Sequence, residues 1–183
     1  MTKINKFLRD FTVYQLMIIA LTAALGLASK PIISPLAHLI TGPLFIPGGS
    51  VAGGFYMMWL VLGASLIKKN GTATVIGFTQ GIIVMITGSY GTHGILSLVT
   101  YTLPGLMIDL VFLIFRRDYT INIDFFIAGI IANLSGTYLS NLVFFRLPLI
   151  PLVISLSTGA LSGGLGGLLA YSIYKKIKPL IQQ

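Results

Sequence analysis

Cysteine is absent from this sequence, and acidic residues are scarce. The lack of cysteine excludes disulfides, thiolate metal sites and cysteine nucleophiles. Only 4 of 183 residues are Asp or Glu, and charged residues make up 9% of the chain, against about 25% in a typical soluble domain. A chain that is 55% hydrophobic and so poor in charge is predicted to be an integral membrane protein. Its net charge of +8 does not indicate nucleic-acid binding, because the basic residues form short clusters between apolar runs.

The motifs of common catalytic sites are also missing. The sequence has no phosphate-binding glycine loop, no HExxH motif, and no Ser-His-Asp set on one side of a membrane. His38 and His93 have no Cys, Asp or Glu nearby, so a loop hydrogen bond is the simpler role for each, and a haem-type axial contact stays open. We therefore predict a protein that is not an enzyme and has no metal site and no cofactor. Any active transport would be powered by a partner.

Six apolar runs divide the chain, and each is predicted to be a transmembrane helix. They cover residues 11–29, 49–67, 72–87, 95–115, 124–145 and 150–174. A spanning helix needs about 20 residues, and only the third run is clearly shorter. No small-residue cleavage site follows the first run, so we expect this run to remain in the protein. The prediction is a single all-α membrane domain over residues 1–183.

The basic residues predict how these six spans are oriented. Ten of the twelve Lys and Arg residues cluster at alternate ends of the runs. The clusters are Lys3, Lys6 and Arg9; Lys68 and Lys69; Arg116 and Arg117; and Lys175, Lys176 and Lys178. Because cytoplasmic loops are enriched in Lys and Arg, six crossings put both termini in the cytoplasm. Lys30 and Arg146 are then the two basic residues on the outer side.

The first outer connection, residues 30–49, is long and apolar, and four prolines interrupt it. A lipid-exposed coil is excluded, since its backbone groups would lack hydrogen-bond partners. We expect instead a long ordered outer loop that packs on protein or lines a cavity. This connection contains Phe45, and the second outer connection, residues 88–94, contains Tyr90 and His93. A ligand is expected to enter on this side of the membrane.

Small residues recur at four-residue spacing on the first and last helices. On the first helix they are Ala20, Ala24 and Ala28. Such a stripe lets another helix approach closely, so it serves either packing within this chain or docking of a separate membrane subunit. On the last helix they are Gly159, Gly163 and Gly167, for which packing within the bundle is favoured.

Polar residues inside the predicted spans are the candidates for ligand contact. Asp109 is the only acidic one, and a carboxylate at membrane depth is costly unless it is paired, neutral or functional. Asp109 either forms an internal ion pair or hydrogen bond, or it anchors a cationic group of a substrate. The polar face of the fifth helix, which includes Asn133 and Asn141, serves either interhelical hydrogen bonds or ligand contact. The predicted substrate-binding residues are Phe45, Trp59, Gln80, Tyr90, His93, Tyr101, Asp109, Asn133 and Asn141.

Taken together, the six spans, the cytoplasmic termini, the long first outer loop and the alanine stripe resemble the S component of energy-coupling factor (ECF) transporters. The resemblance implies a multi-pass protein of a prokaryotic plasma membrane that binds a vitamin-type ligand under the first outer loop. It also implies that Ala20, Ala24 and Ala28 dock a transmembrane coupling subunit, with two ATPase subunits supplying energy. The S component would then carry its ligand inward by toppling in the bilayer.

Within that family, the middle of the chain is most similar to the thiamine/hydroxymethylpyrimidine type, also described as a cobalt-transport permease. The similarity lies in Gly42-Pro43, Met58-Trp59, the turn at residues 68–73, and the segment from Asp109 to Arg116. That type carries a glutamate where this chain has Asp109.

Thiamine or its pyrimidine precursor is the favoured substrate, with other classes as alternatives. Asp109 and the aromatic residues favour thiamine or its pyrimidine precursor. Lys30, Arg146 and the histidines favour an anionic tetrapyrrole, such as haem or a cobalamin-like corrinoid. A structural subunit of a membrane complex with no ligand of its own is the alternative from a different class, and it predicts that no outer cavity exists. A channel is less favoured, because polar residues do not line the full thickness of the bundle.

Overall fold

The computed structural model describes residues 11–44, 47–88, 94–115 and 117–181. Its regular structure is helical, and no strand occurs in these residues. A short 3-10 turn, Gly42–Leu44, follows the second helix, and a π-helical turn, Asn141–Phe145, follows the sixth. The α-helices are α1 Val13–Ala28, α2 Lys30–Thr41, α3 Gly48–Ile67, α4 Thr72–Thr87, α5 Leu96–Ile114, α6 Asn122–Ser140 and α7 Leu149–Ile181.

Apart from α2, these helices coincide with the six predicted spans. Five stretches are long and apolar enough to cross a bilayer: α1 together with α2, then α3, α5, α6 with its π-helical turn, and α7. The helix α4 is apolar but has only 16 residues, as the short third run predicted. The all-α, multi-pass class is therefore confirmed. The cytoplasmic position of both termini stays a prediction.

The helix α3 forms the centre of the bundle. It contacts α1, α2, α4, α6 and α7. Of its apolar window, 67% is buried, against 28–33% in the other candidate spans. Leu60 and Val61 are fully enclosed at its middle. The other helices pack around α3, so residues that project from its first turns are held in fixed positions.

Glycines bring α6 and α7 into close contact. A Cβ atom added at Gly163 or Gly167 would overlap the backbone carbonyl of Gly129 or Phe125 on α6. A Cβ atom at Gly159 would also touch an α6 side chain. The prediction that this glycine stripe packs within the bundle is confirmed, because only hydrogen fits between the two backbones at these positions.

The first outer connection was predicted to be a long ordered loop, and most of it is helical, because residues 30–41 form the helix α2. Ser29 joins α1 to α2 with helical dihedrals, φ −72° and ψ −23°. Pro31 lies in the first turn, where a missing N–H costs no intrahelical hydrogen bond. Helix formation satisfies the backbone of this apolar segment, which was the physical requirement behind the prediction. Pro35 is tolerated inside α2.

Most basic residues of the described chain, all except Lys30 and Arg146, gather at one end of the bundle, which we call the basic end. It comprises the turn at residues 68–71, the connection between α5 and α6, and the last turns of α7. Lys68 adopts a left-handed backbone conformation (φ 55°) as α3 ends, and Gly71 adopts another (φ 84°) as α4 begins. Glycine supplies such a conformation without steric cost, which makes this tight turn feasible.

Candidate ligand-binding cavity

A cavity of about 510 Å³ lies at the end of the bundle opposite the basic end. Every α-helix contributes to its wall, from Gly26 near the end of α1 to Ser155 near the start of α7. Ligand sites for small molecules have volumes of about 300–1,000 Å³. The cavity therefore has room for one small organic molecule. We call this end of the bundle the cavity end.

One face of α2 contributes three polar residues to the wall, Lys30, Ser34 and His38. Their spacing of four residues places them on the same side of the helix. The Nζ atom of Lys30 donates a hydrogen bond to the hydroxyl oxygen of Tyr101, at 2.7 Å. The same Nζ lies 4.0 Å from the ring centroid of Tyr101 and 5.2 Å from that of Tyr56. Among the described residues that line the cavity, Lys30 is the only Lys, Arg, Asp or Glu.

Asn133 lines the cavity, but its amide is also a structural link between three helices. Its Nδ2 donates to the backbone carbonyls of Ser50 on α3 (2.9 Å) and Gly159 on α7 (2.8 Å). A Cβ atom added at Gly53 would overlap this amide, so the glycine makes space for it. Because both amide protons are used within the bundle, only the amide oxygen of Asn133 is left for a ligand.

Gln80 and Asn141 also line the cavity and each contacts the backbone of another segment. The Nε2 of Gln80 is 3.4 Å from the Ala23 carbonyl on α1, which makes this a long hydrogen bond. The Oδ1 of Asn141 accepts a hydrogen bond from the backbone N–H of Leu147, at 2.8 Å. These two contacts hold the cavity wall in place and leave the other amide atom of each side chain for a ligand.

Asp109 lies away from the cavity, near the basic end. Its Oδ2 accepts hydrogen bonds from the backbone N–H and the hydroxyl of Thr74, at 2.8 Å and 2.6 Å. Thr74 belongs to the first turn of α4, whose N–H groups have no partner within the helix. Asp109 thus caps α4 from the neighbouring helix α5. This is the internal-partner alternative, and the structure gives the substrate-anchor alternative no support.

The remaining predicted ligand contacts fall outside the cavity wall or outside the described residues. Trp59 does not line the cavity and packs against the buried core of the bundle instead. Phe45, Tyr90 and His93 lie outside the described residues. The predicted residues that the structure brings together around the cavity are Gln80, Tyr101, Asn133 and Asn141.

Most wall residues were not among the predicted ligand contacts, and Lys30 and Ser155 are the two that bear on the chemistry of the site. Lys30 is predicted only as an outer cation that favours an anionic ligand, because its segment is predicted to be a loop and not a helix. The spacing of Lys30, Ser34 and His38 was the available signal, and it has meaning only on a helix. Ser155 is 1% exposed, and its Oγ has no hydrogen-bond partner in the described part of the chain. Nothing in its sequence neighbourhood distinguishes it from other serines in apolar helices.

The alanine stripe faces away from the bundle. Ala20, Ala24 and Ala28 are all exposed, whereas Ile19 and Ala23 on the opposite side of α1 are buried. Packing against the described residues of this chain therefore does not account for the stripe. The small side chains of this face would let a helix of a separate subunit approach closely.

The sequence matches the family model described as "ABC-type cobalt transport system, permease component" over residues 14–135, more than half of the chain. The chain belongs to this family. The matched region runs from α1 into α6 and includes most of the cavity wall. No curated protein gives a significant sequence match. As a member of this family with several apolar helices, the chain is a multi-pass transport component of the cell membrane.

The fold is similar to that of a solved structure described as "Crystal structure of an S-component of ECF transporter". The TM-score is 0.75 at 20% sequence identity, and the alignment covers 91% of this chain and 85% of the other. The predicted resemblance to S components is confirmed at the level of the fold.

Proposed function

We propose that this protein is the substrate-binding S component of an ECF-type ABC importer, which captures a vitamin-type micronutrient. The cavity is the observation that carries this proposal, because it gives an S-component fold a site of suitable size. Its position supports capture from outside the cell. The basic clusters in the described part of the chain lie at the opposite end, and the positive-inside rule assigns that end to the cytoplasm.

The alanine stripe is proposed as the docking surface for the transmembrane coupling subunit. It is exposed along α1, and small side chains permit the close helix contact that stabilises association in lipid. Two ATPase subunits bound to the coupling subunit would supply energy, since this sequence has no nucleotide-binding motif of its own. Docking would be followed by toppling of the S component, which carries the ligand inward.

The cavity wall bears on the choice of substrate. The preference for thiamine, which is a cation, rests on the similarity of the middle of the chain to the thiamine type, on the aromatic residues, and on an acidic contact at Asp109. That side chain caps α4, and no Asp or Glu lines the described cavity. The wall therefore supports the anionic candidates more than thiamine. The ligand-free structural subunit is less favoured as well, because it predicted that no outer cavity exists.

Co-purification tests this proposal. The protein would be co-expressed with the coupling and ATPase subunits of its host's ECF module, purified in lipid nanodiscs, and analysed by mass spectrometry. We expect all three partner subunits and a small molecule in near-stoichiometric amount. Ala24→Leu should reduce recovery of the coupling subunit by tenfold or more, corresponding to about 1.4 kcal/mol of association free energy, while the small molecule stays bound.

Ser157→Leu is the matched control, because it makes a similar increase in size at an exposed position on α7. This variant should keep both the partner subunits and the small molecule. Recovery of the wild-type protein with no partner subunit and no small molecule would contradict the proposed function. An equal loss of the coupling subunit in both variants would contradict the docking surface alone.

A further inference from the structure

The cation at the cavity wall has an unusual environment. Lys30 is partly buried, and no Asp or Glu joins it among the described lining residues. In the described chain the one ion pair is Arg117 with Asp124, and it lies at the basic end. A charged side chain that is removed from water is costly, and such residues normally pair with an opposite charge. The protein itself gives Lys30 no such partner within the described residues.

The contacts that Lys30 does make leave part of its hydrogen-bonding capacity unused. An ammonium group has three N–H donors, and one of them is directed to the Tyr101 hydroxyl. The rings of Tyr56 and Tyr101 attract the charge through their π faces, which offsets part of the desolvation. Neither ring supplies a full negative charge. The ammonium therefore remains available for a charge-assisted hydrogen bond to an acidic group.

We infer that the molecule bound in this cavity is an organic acid, whose carboxylate or phosphate is held by Lys30. This inference rests on the proposed function and specifies the chemical class of its ligand. One lysine in the described wall matches one acidic group, and Arg146 is exposed and does not line the cavity. A cationic ligand would instead be repelled by the only charge in that wall.

The rest of the wall defines the body of this acid. Tyr56, Met57 and Phe144 give the wall an apolar and aromatic surface. An aromatic or aliphatic ligand body would pack on this surface. Ser155 is buried in the wall, and its hydroxyl lacks a partner in the described chain. A buried hydroxyl without a hydrogen bond is unfavourable, so the ligand should also carry a polar group that satisfies it. The ligand class is thus an acid with an apolar or aromatic body and a second polar substituent.

Three variants in nanodiscs of zwitterionic lipid test this inference. Lys30→Met removes the charge and keeps the length of the side chain, and Lys30→Arg keeps the charge. Lys176→Met is the matched control, since it removes one exposed charge at the basic end. Each protein would be equilibrated with a deproteinised metabolite extract of the producing cells to which thiamine has been added. Mass spectrometry then identifies and quantifies what each protein retains.

We expect the wild-type protein and Lys176→Met to enrich the same molecule, which carries a carboxylate or phosphate. Lys30→Met should bind it about 30-fold or more weakly, as is typical when one partner of a shielded charge pair is removed. Lys30→Arg should retain more of it than Lys30→Met does. The methyl ester or amide of the enriched acid should also bind the wild-type protein more weakly, and this measurement does not depend on the folding of any variant.

Three results would overturn the inference and leave the proposed function standing. They are enrichment of a neutral or cationic molecule, including thiamine; equal enrichment of the acid by wild type and Lys30→Met; and equal binding of the acid and its ester. Enrichment of nothing by the wild-type protein would instead contradict the proposed function, and the inference would fall with it.

Discussion

At the basic end of the bundle, Asp109 and Asp124 each accept several hydrogen bonds, whereas at the cavity end Lys30 has no acidic neighbour among the described residues. Asp124 accepts from Arg117 at 2.9 Å and from backbone N–H groups that precede α6. These two acids thus connect elements of the fold. The cation of the cavity end is left for something outside the fold.

The aromatic residues of the two ends differ in the same way. At the basic end, Tyr119 stacks on Phe112 and meets the edge of Phe125, so its ring is enclosed by the protein. Burial, and then the charges of Asp109 and Asp124, raise the pKa of the Tyr119 hydroxyl well above its usual value, so it stays neutral. At the cavity end, Tyr101 instead lines an open space and contacts a cation. The comparison separates polar groups that maintain the structure from those available to a ligand.

Asn133→Leu is expected to have the largest effect on stability. It tests whether a polar residue of the cavity wall maintains the fold. Asn133 lines the cavity but bonds to two backbone carbonyls, so by its contacts it belongs with the structural group. Loss of both interhelical bonds should lower the free energy of unfolding by about 2–3 kcal/mol. Thermal unfolding in detergent measures this change. A variant as stable as the wild type would place Asn133 among the ligand contacts only.

Asp124→Ala removes the cap of α6 at the basic end. The carboxylate bonds to Arg117, to Thr120 and to the Ile121 N–H, so its loss should cost about 1–2 kcal/mol of unfolding free energy. Asp118→Ala is the control, because Asp118 is exposed in the same connection. We expect a lower unfolding temperature for Asp124→Ala only. Equal effects of the two substitutions would show that overall charge, and not the cap, is responsible.

Asp109→Asn separates the cap from a ligand contact. The amide oxygen can still accept a bond from the Thr74 N–H, so we expect a loss of stability of about 1 kcal/mol. Ligand affinity, measured on the molecule that co-purifies with the wild-type protein, should be unchanged. A tenfold or greater loss of affinity without loss of stability would restore the substrate-anchor role. Asp109 would then not belong with the polar groups that only maintain the fold.

Lys30→Met is expected to have the smallest effect on the unliganded protein, with a stability unchanged or raised by up to about 1 kcal/mol. The reason is that methionine avoids the desolvation of a charge that has no acidic partner in the described wall. Unfolding temperatures in nanodiscs, measured after removal of bound small molecules, check this expectation. A clear destabilisation would mean that Lys30 maintains the fold as Asp124 does.

Most of the helices could be predicted, because an apolar segment in lipid must satisfy its own backbone hydrogen bonds, and such segments are visible in the local sequence. Runs such as 49–67 and 95–115 must form helices in lipid, since no other structure satisfies their backbone groups. The prediction of a loop was wrong for residues 30–41, which form α2, because a proline interrupts a helix only where an intrahelical N–H is needed. Pro31 lies in a first turn and is tolerated there, which depends on Ser29 keeping helical dihedrals.

The sequence by itself determined the class of protein, the positions of six apolar helices, and the concentration of most basic residues at one end of the bundle. These properties follow from composition and from periodicity along one chain. Only the tertiary structure decided which polar residues meet. Asp109 reached Thr74, Asn133 reached Ser50 and Gly159, and Lys30 reached Tyr101, although each pair is separated by 26 residues or more. Contacts of that kind depend on how helices pack, and helix packing is set by small residues and shape rather than by the apolar pattern that marks a span.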